Sequence, residues 1–189
     1  IEAVGSLRSN ESVIIRPEVA GRISEILFQE GQGVTRGMPL VRLDSSIGRA
    51  QVEQMNAALG LSKVNFERAQ ELMKKGAGSQ RAFDEALAKM RADEASLALA
   101  QATLDKMTLV APFDGILGLR KVSLGDYVNP GQDMVNIESI ETLKVDFRVS
   151  EIYAVQLKVG QSISITLDAI PGATFDGEVY AIDPAHDPN

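Results

Sequence analysis

The stretch of sequence that decides the fold runs from Ile47 to Met107 and reads IGRAQVEQMNAALGLSKVNFERAQELMKKGAGSQRAFDEALAKMRADEASLALAQATLDKM. Within it, apolar or small residues recur at alternating gaps of three and four positions, which is the heptad spacing of two packed helices. We call these positions the seam; in the first half they are Val52, Met55, Leu59, Ser62, Phe66, Ala69 and Met73. In the second half they are Phe83, Ala86, Met90, Asp93, Leu97, Ala100, Leu104 and Met107. If the chain reverses at Gly76-Ala77-Gly78-Ser79, the two series meet layer by layer, so the sequence predicts an antiparallel helical hairpin.

The residues of the reversal predict where each helix ends. Gly76 is placed for a left-handed cap after the first helix, and Ser79 is placed to cap the N-terminus of the second. Glu85 and Lys89 are predicted to form an i,i+4 ion pair on the second helix. Two helices of about 28 residues would form a rod roughly 40 Å long, too thin to wrap around a globular core. The hairpin is therefore predicted to project and to reach a partner.

Two features of the hairpin depart from a simple apolar pattern. Ser62 and Asp93 fall opposite each other in the seam and would form one polar layer. Such a layer can fix the register of two helices at a cost in stability, so we predict a register lock; the alternative is that Asp93 points out to water. Gly60 lies in mid-helix on the outer side, where glycine costs up to about 1 kcal/mol relative to alanine. Close approach by a neighbouring protomer would explain it.

Composition narrows the functional classes. The 189 residues are 44% apolar and 24% charged, which is ordinary for a globular protein. A formal net charge of -7 argues against nucleic acid as a partner and against docking on anionic lipid. The absence of cysteine excludes disulfides, thiol nucleophiles and thiolate metal sites. No apolar run is long enough to span a bilayer, and no signal peptide is present. Because Ile1 begins inside strand-like sequence, we expect a mature or trimmed fragment.

No catalytic set is visible in the sequence. His186 is the only histidine, and although Asp183 and Asp187 flank it, an ordinary loop is favoured over a metal site. Gly31-Gln32-Gly33 precedes strand-like sequence and indicates a β turn rather than a phosphate loop. We therefore expect no catalytic residue, no cofactor and no metal, and we do not expect an enzyme.

The two stretches that flank the hairpin, residues 12–44 and 109–140, are an internal repeat rich in short strands and glycine turns. Matched residues lie 94 positions apart without a gap: Gly21 and Gly115, Ile23 and Leu117, Gly31 and Gly125, Val34 and Val128, Gly37 and Gly131, Leu40 and Met134, Val41 and Val135, Leu43 and Ile137. Three of the matched pairs are glycines, and glycine at the same position of both halves indicates a backbone conformation that a side chain would strain. Neither half can bury its apolar face alone, so the halves are predicted to pack around a pseudo-two-fold axis, with the hairpin leaving from the loop between them.

This repeat resembles the two halves of a biotinyl/lipoyl domain. Its interruption by a helical hairpin resembles the periplasmic adaptors, or membrane fusion proteins, of bacterial tripartite efflux pumps, in the HlyD-like family and of the resistance-nodulation-division type. The matching stretches are residues 16–23 with 30–34, and 111–117 with 125–131. A carrier domain would present a modifiable lysine on the turn between its halves. Here more than 60 residues replace that turn and no lysine is placed for biotin or lipoate, so the carrier interpretation is rejected.

The last part of the chain resembles the β-barrel domain of the same adaptors. Leu143, Val145, Phe147 and Val149 alternate as a half-buried strand, and a short helix over 150–157 with Ser150 as its cap is predicted to follow. The predicted fold class is α+β, elongated and multidomain, and the resemblance implies five segments. These are an N-terminal barrel strand (1–11), the first lipoyl half-motif (12–44), the helical hairpin (45–108), the second lipoyl half-motif (109–140) and a truncated β-barrel domain (141–189). The remainder of the barrel and a membrane-proximal domain are expected outside this chain.

The resemblance also implies a site at the hairpin tip. Arg68, Leu72 and Ser79 have the spacing of the motif by which these adaptors engage the outer-membrane channel protein. An exposed leucine offers apolar burial, and an arginine offers five donors to partner carbonyls or carboxylates. The residues alone permit a plainer interpretation, in which Arg68 is a solvated charge, Leu72 packs on the hairpin flank and Ser79 is a helix cap.

Partners and location follow from the resemblance as expectations. It implies an outer-membrane channel, an inner-membrane proton-driven transporter of the resistance-nodulation-division class, and self-association as a trimer or hexamer. It implies a periplasmic location at the inner membrane of a Gram-negative bacterium, with anchoring by segments absent from this chain. The alternatives are an adaptor of an ATP-driven exporter or metal pump, a biotin- or lipoate-dependent enzyme subunit, and a plain coiled-coil interaction module.

Overall fold

The computed structural model describes residues 3–150, 153, 156–167, 169–170 and 172–183. Its elements in chain order are β1 (Gly5–Ile15), β2 (Gly21–Ile26), β3 (Gly33–Val34), β4 (Pro39–Leu43), α1 (Ser46–Lys74), α2 (Gln80–Asp105), β5 (Thr108–Val110), β6 (Gly115–Leu117), β7 (Tyr127–Val128), β8 (Val135–Phe147), β9 (Ser162–Thr166) and β10 (Thr174–Glu178). The chain divides into two compact units. One is Ser9–Lys144, and the other comprises the residues on either side of it.

The two repeated halves exchange strands with each other. One sheet has the order β5-β4-β2-β7 and another the order β1-β8-β6-β3, so each sheet contains strands from both halves. Gly21 of the first half pairs with Val128 of the second, and Gly115 of the second pairs with Val34 of the first. In the repeat, Gly115 is equivalent to Gly21 and Val34 is equivalent to Val128. Interchanging the halves therefore turns one pair into the other, as a pseudo-two-fold axis requires. The predicted packing of the two halves is confirmed.

The glycine turns repeat in the same way. Gly31 and Gly125 have φ of 77° and 89°, and Gly37 and Gly131 have φ of 83° and 82°. Side chains are strained in this left-handed region of backbone conformation, so glycine is required at these turns. The fixed offset of 94 positions therefore reflects equivalent backbone geometry in the two halves.

One hydrophobic core serves both halves. Its buried members include six pairs related by the repeat: Ile15 and Leu109, Ile23 and Leu117, Val34 and Val128, Leu40 and Met134, Val41 and Val135, Leu43 and Ile137. Neither half has a core of its own, because each contributes strands to both of the sheets that enclose the same interior. We call this body, built from residues 12–44 and 109–140, the sandwich.

The helical hairpin connects two neighbouring strands of the sandwich. β4 and β5 are antiparallel partners, with Arg42 opposite Thr108, and α1 and α2 lie between them in the chain. Gly48 at the base of α1 lies against Met107, and Gly78 at the far end lies against Leu72, so the helices double back as predicted. The position at which a carrier domain would present its lysine is occupied by this hairpin.

The seam is confirmed along both helices, because every predicted seam residue is buried or half-buried. One aromatic contact lies outside the predicted layers, in which Phe66 faces Met90 and Met73 faces Phe83. The rings of Phe66 and Phe83 pack on each other, with centroids 5.5 Å apart and planes inclined at 43°. The small side chains of Ala69 and Ala86 along the seam leave room for two large rings to meet.

The polar layer lies inside the hairpin. Within α1 and α2 the buried residues are Ser62, 4% exposed, and Asp93, 8% exposed. The alternative in which Asp93 points out to water is therefore wrong. The predicted pair of Glu85 with Lys89 is also wrong, because Nζ of Lys89 lies 2.6 Å from Oδ1 of Asp93 and Glu85 accepts from Arg81 instead. The hydrogen bond from Lys89, with a further contribution from Ser62, lowers the pKa of Asp93 below its usual value.

Replacing the buried carboxylate by an apolar side chain should stabilise the hairpin. A charged group held in an apolar seam is often less stabilising than a hydrophobic residue of similar size, so we expect Asp93→Leu to raise the thermal midpoint of unfolding. The measurement is thermal unfolding followed by the helical circular dichroism signal, with the exposed neighbour Glu94→Leu as a control. An unchanged or lower midpoint in Asp93→Leu would contradict a buried polar layer that costs stability. Whether the layer locks the register stays a prediction.

The second unit contains β9 and β10, which pair as an antiparallel ribbon with Gly177 opposite Ile163. Arg8 joins its segments, because Nε lies 2.6 Å from Oδ2 of Asp146 and Nη2 donates to the Tyr180 hydroxyl at 3.2 Å. Residues 151, 152, 154 and 155 of the predicted helix over 150–157, and residues 184–189 around the predicted loop at His186, lie outside the described residues. Of the helices that the structure describes, none combines the length and the apolar character needed to cross a membrane.

Candidate functional site at the hairpin tip

The tip begins with a closed helix end. The backbone N–H of Ala77 donates to the carbonyl of Leu72 at 2.9 Å, and that of Gly76 donates to the carbonyl of Met73 at 3.0 Å. Gly76 has φ of 69°, which completes the Schellman arrangement that satisfies the last carbonyls of a helix. The left-handed cap predicted at Gly76 is thus present.

Ser79 caps the second helix. Its φ of -93° and ψ of 145° are extended, and its side chain accepts a hydrogen bond from the backbone N–H of Ala82 at 3.2 Å. The predicted cap is confirmed. A serine hydroxyl has one donor and two acceptor positions, so Ser79 remains able to donate to a partner while it caps α2.

Gly78 is a residue of the tip whose role sequence reasoning missed. A Cβ at this position would lie 2.8 Å from the backbone nitrogen of Met73 and 3.0 Å from the carbonyl carbon of Leu72. Any side chain would therefore push the turn away from α1. The signal in the sequence is the second glycine of Gly76-Ala77-Gly78, because one glycine is enough for the cap and the other requires a separate reason.

The three predicted contact residues lie at or near this tip. Leu72 has 43% of its surface exposed, while its carbonyl is fixed by the turn. Arg68 lies one helical turn before Leu72 on α1, and residues four apart on a helix are neighbours on its surface. Arg68 and Ser79 are both exposed, and within the described ranges Arg68 has no ion pair or side-chain hydrogen bond. The arrangement presents a cation and an apolar side chain on the last turns of α1, and a hydroxyl at the start of α2.

The tip carries exposed charges of both signs. Among the residues that the structure describes, no group of three or more histidine, cysteine or acidic side chains could hold a metal ion. The charged groups of the tip include Arg68 and two exposed ion pairs. Nζ of Lys75 lies 3.9 Å from Oε2 of Glu71, and Nε of Arg81 lies 2.7 Å from Oε1 of Glu85.

The base of the hairpin is tied to the sandwich through Asp44, the residue after β4. Oδ1 of Asp44 accepts from the Ser46 hydroxyl at 2.8 Å and from the Ser46 backbone N–H at 3.1 Å. Oδ2 lies 3.3 Å from Nη2 of Arg22. These contacts, led by the Ser46 hydroxyl, hold the pKa of Asp44 below its usual value. Asp44 satisfies an N–H at the start of α1 that the N-cap residue Ser45 leaves without a side-chain partner.

Two family models match this chain, one over the sandwich and the hairpin and the other over the residues that follow. A family model described as "RND MFP, barrel-sandwich hybrid domain" matches residues 11–139, and one described as "CusB-like, beta-barrel domain" matches residues 142–189. An uncharacterized protein of Haemophilus influenzae is 36% identical over 185 residues, covering 98% of this chain and 48% of that protein. Membrane fusion protein MtrC of Neisseria gonorrhoeae is 30% identical over 201 residues, covering 95% of this chain and 49% of that protein.

A solved structure resembles the fold as a whole. A MacA-MexA chimeric protein containing the Pseudomonas aeruginosa MexA α-hairpin domain superposes with a TM-score of 0.87 at 24% identity, covering 97% of this chain and 67% of that chain. This likeness bears on the fold alone and confirms the predicted class, an α+β chain with a β sandwich interrupted by a helical hairpin. The chain spans about half the length of the curated relatives it matches. Since the first family model covers more than half of this chain, the chain belongs to the membrane fusion protein family, a family of adaptors and not of enzymes.

Proposed function

We propose that this chain belongs to a periplasmic adaptor subunit of a tripartite efflux pump in a Gram-negative bacterium. The subunit associates with the inner membrane and bridges an inner-membrane transporter and an outer-membrane channel. The observation that carries the proposal is the hairpin tip. An exposed arginine and a half-exposed leucine lie at the end of α1, and a serine follows the closed turn. A rigid turn of this kind suits contact with a second protein, because little conformational freedom is lost on binding.

The three tip residues have distinct roles in the proposed contact. Leu72 supplies apolar burial of the 43% of its surface that is exposed, worth about 0.6–1.3 kcal/mol. Arg68 supplies donors in a planar fork that fits carbonyl or carboxylate oxygens of the channel. Ser79 supplies a hydroxyl donor beside the turn. The mechanism is structural, since the subunit joins two membrane proteins, self-associates as a trimer or hexamer and seals a conduit without chemistry of its own.

We further propose a transporter of the proton-driven resistance-nodulation-division class. The support is the description of the matching family model, which carries the abbreviation RND. An ATP-driven exporter or a metal pump is the alternative within the same class of adaptor. Purifying the complete protein from its own cells after crosslinking, and identifying the transporter that accompanies it, distinguishes them. Recovery of neither a transporter nor a channel would favour a plain coiled-coil interaction module.

Leu72→Ser should weaken docking on the channel. Because 43% of the Leu72 surface is left to bury, its loss should cost about 0.6–1.3 kcal/mol, which corresponds to binding about 3- to 9-fold weaker. The measurement is crosslinking of the complete adaptor to the channel in cells, together with drug accumulation. Because Leu72 is already half exposed, the helical circular dichroism signal should not change.

Leu99→Ser is the matched control for this substitution. Leu99 is an exposed leucine of α2, with 71% of its surface accessible, and it lies far along the helix from the tip. We expect docking to survive its loss. Undiminished crosslinking in Leu72→Ser, or an equal loss in Leu99→Ser, would remove the assignment of Leu72 to the channel contact.

A further inference from the structure

Two ion pairs attach the two ends of the hairpin to the same half of the sandwich. Asp44, just before α1, is paired with Arg22 of β2 through Oδ2 and Nη2 at 3.3 Å. Lys106, just after α2, is paired with Glu18 in the loop before β2, with Nζ 2.7 Å from Oε2. Each end of the hairpin thus has one charged contact to a neighbouring segment of the sandwich.

The internal repeat is broken at the two sandwich residues of these pairs. The positions equivalent to Glu18 and Arg22 in the second half are Pro112 and Ile116, which carry no charge. In the second half no helix leaves at the equivalent point, because β8 continues without interruption to Phe147. Charged residues at these two repeat positions therefore occur only in the half from which the hairpin departs.

The other contacts at the base restrain the hairpin in a different way. The backbone N–H of Leu43 donates to the carbonyl of Met107 at 2.8 Å, which holds the two ends of the hairpin beside each other. The N–H of Asp44 donates to the carbonyl of Arg22 at 2.8 Å and ties only the first end to β2. The second end is held by Met107, which packs against the core of the sandwich, and by the pair of Lys106 with Glu18, which is its charged contact with the segment before β2. A tilt of the hairpin about its base would change the distance between Lys106 and Glu18.

A small tilt at the base becomes a large displacement at the tip. α1 has 29 residues, so at ~1.5 Å per residue it is about 43 Å long, and a tilt of ~10° moves its far end by about 7 Å. A displacement of that size would carry a contact side chain away from its partner. Exposed ion pairs add little to overall stability, yet a small bias is enough to favour one orientation over others.

We propose that Glu18 and Arg22 are positioning residues, which hold the two ends of the hairpin and set the direction in which it leaves the sandwich. Each acts through its partner, Lys106 or Asp44, and neither touches the proposed channel contact. The consequence for docking rests on the proposed function. The positioning itself does not, and it is measurable on the adaptor alone.

The test measures the direction of the hairpin with two spin labels. This chain has no cysteine, so cysteines introduced at Arg36 on the sandwich and at Lys74 near the tip are its sites of labelling, and any cysteine in the rest of the complete protein is first replaced by serine. We expect one narrow distance distribution at low salt. Glu18→Lys should widen it by several ångströms, and Glu18→Lys with Lys106→Glu should narrow it again, because the swap restores opposite charges. High salt should widen the distribution of the unmodified pair by screening.

Lys121→Glu is the control variant. It removes an ion pair of similar exposure, between Lys121 and Asp133 at 3.0 Å, which joins two segments of the sandwich and touches neither end of the hairpin. The proposal is overturned if Glu18→Lys leaves the distribution unchanged, if the charge swap does not restore it, or if Lys121→Glu widens it equally. Leu72→Ser, which tests the proposed function, should leave the distance distribution as it is, so the two ideas fail separately.

Discussion

Leu40→Ala should lower the free energy of unfolding of the sandwich by about 2–5 kcal/mol, and Met134→Ala should cost a similar amount. Both side chains are fully buried, occupy equivalent positions of the repeat and belong to the same core. Truncation removes transfer free energy and leaves a cavity that the surrounding strands close only in part. Because each sheet contains strands of both halves, damage on either side should unfold both.

Hydrogen exchange with chemical denaturation measures this cooperativity. In each variant, amides of β2 in the first half and of β6 in the second half should lose protection together, in one transition. Leu99→Ala, at an exposed position of α2, provides the control and should change stability by less than about 0.5 kcal/mol. Loss of protection in one half while the other keeps it would show that the halves have separate cores, against the structure described above.

Gly115→Ala should be strongly destabilising, whereas Gly21→Ala, its equivalent in the repeat, should be tolerated. A Cβ at Gly115 would lie 2.5 Å from the carbonyl oxygen and 2.9 Å from the carbonyl carbon of Glu138, which are backbone atoms of β8. A Cβ at Gly21 would meet only the side chain of Leu43, at 3.3 Å. Overpacking against a fixed backbone costs about 1–3 kcal/mol or more, while a side chain that can shift a few tenths of an ångström costs less.

The reason for this asymmetry lies in the insertion of the hairpin. The residue equivalent to Glu138 in the first half is Asp44, where the chain leaves the sheet to begin α1. Gly115 therefore lies against a continuing strand, and Gly21 lies beside a departing one. Thermal unfolding of the two alanine variants measures the difference. Equal midpoints would mean that the departure of the hairpin does not relieve crowding at Gly21.

The parts of the fold that follow from periodicity could be predicted from the sequence. The seam repeats every seven residues and the sandwich repeats after 94, and each pattern leaves only one arrangement that buries its apolar residues. Ser79 and Gly76 were predictable because helix caps depend on local chemistry. The channel contact of Arg68, Leu72 and Ser79 remains a prediction, because a docking surface is defined by a partner outside this chain.

Features that depend on side-chain rotamers or on close backbone approach were not predictable. Lys89 could reach either Glu85 or Asp93 at i,i+4 spacing, and burial of Asp93 decides the choice, since a buried carboxylate needs a donor more than an exposed one does. The contact of Phe66 with Phe83 depends on the rotamers of both side chains. Gly78 is needed because of a backbone approach that is visible only in three dimensions.

The antiparallel pairing of β4 with β5 has a consequence for how this architecture can vary. This pairing holds the two ends of the hairpin one strand spacing apart, whatever the length of the helices between them. Adding seven residues to each helix would carry the apex outward by about 10 Å and rotate it little about its axis, because seven residues complete nearly two turns. The hairpin can therefore become longer or shorter by whole heptads while the sandwich stays the same.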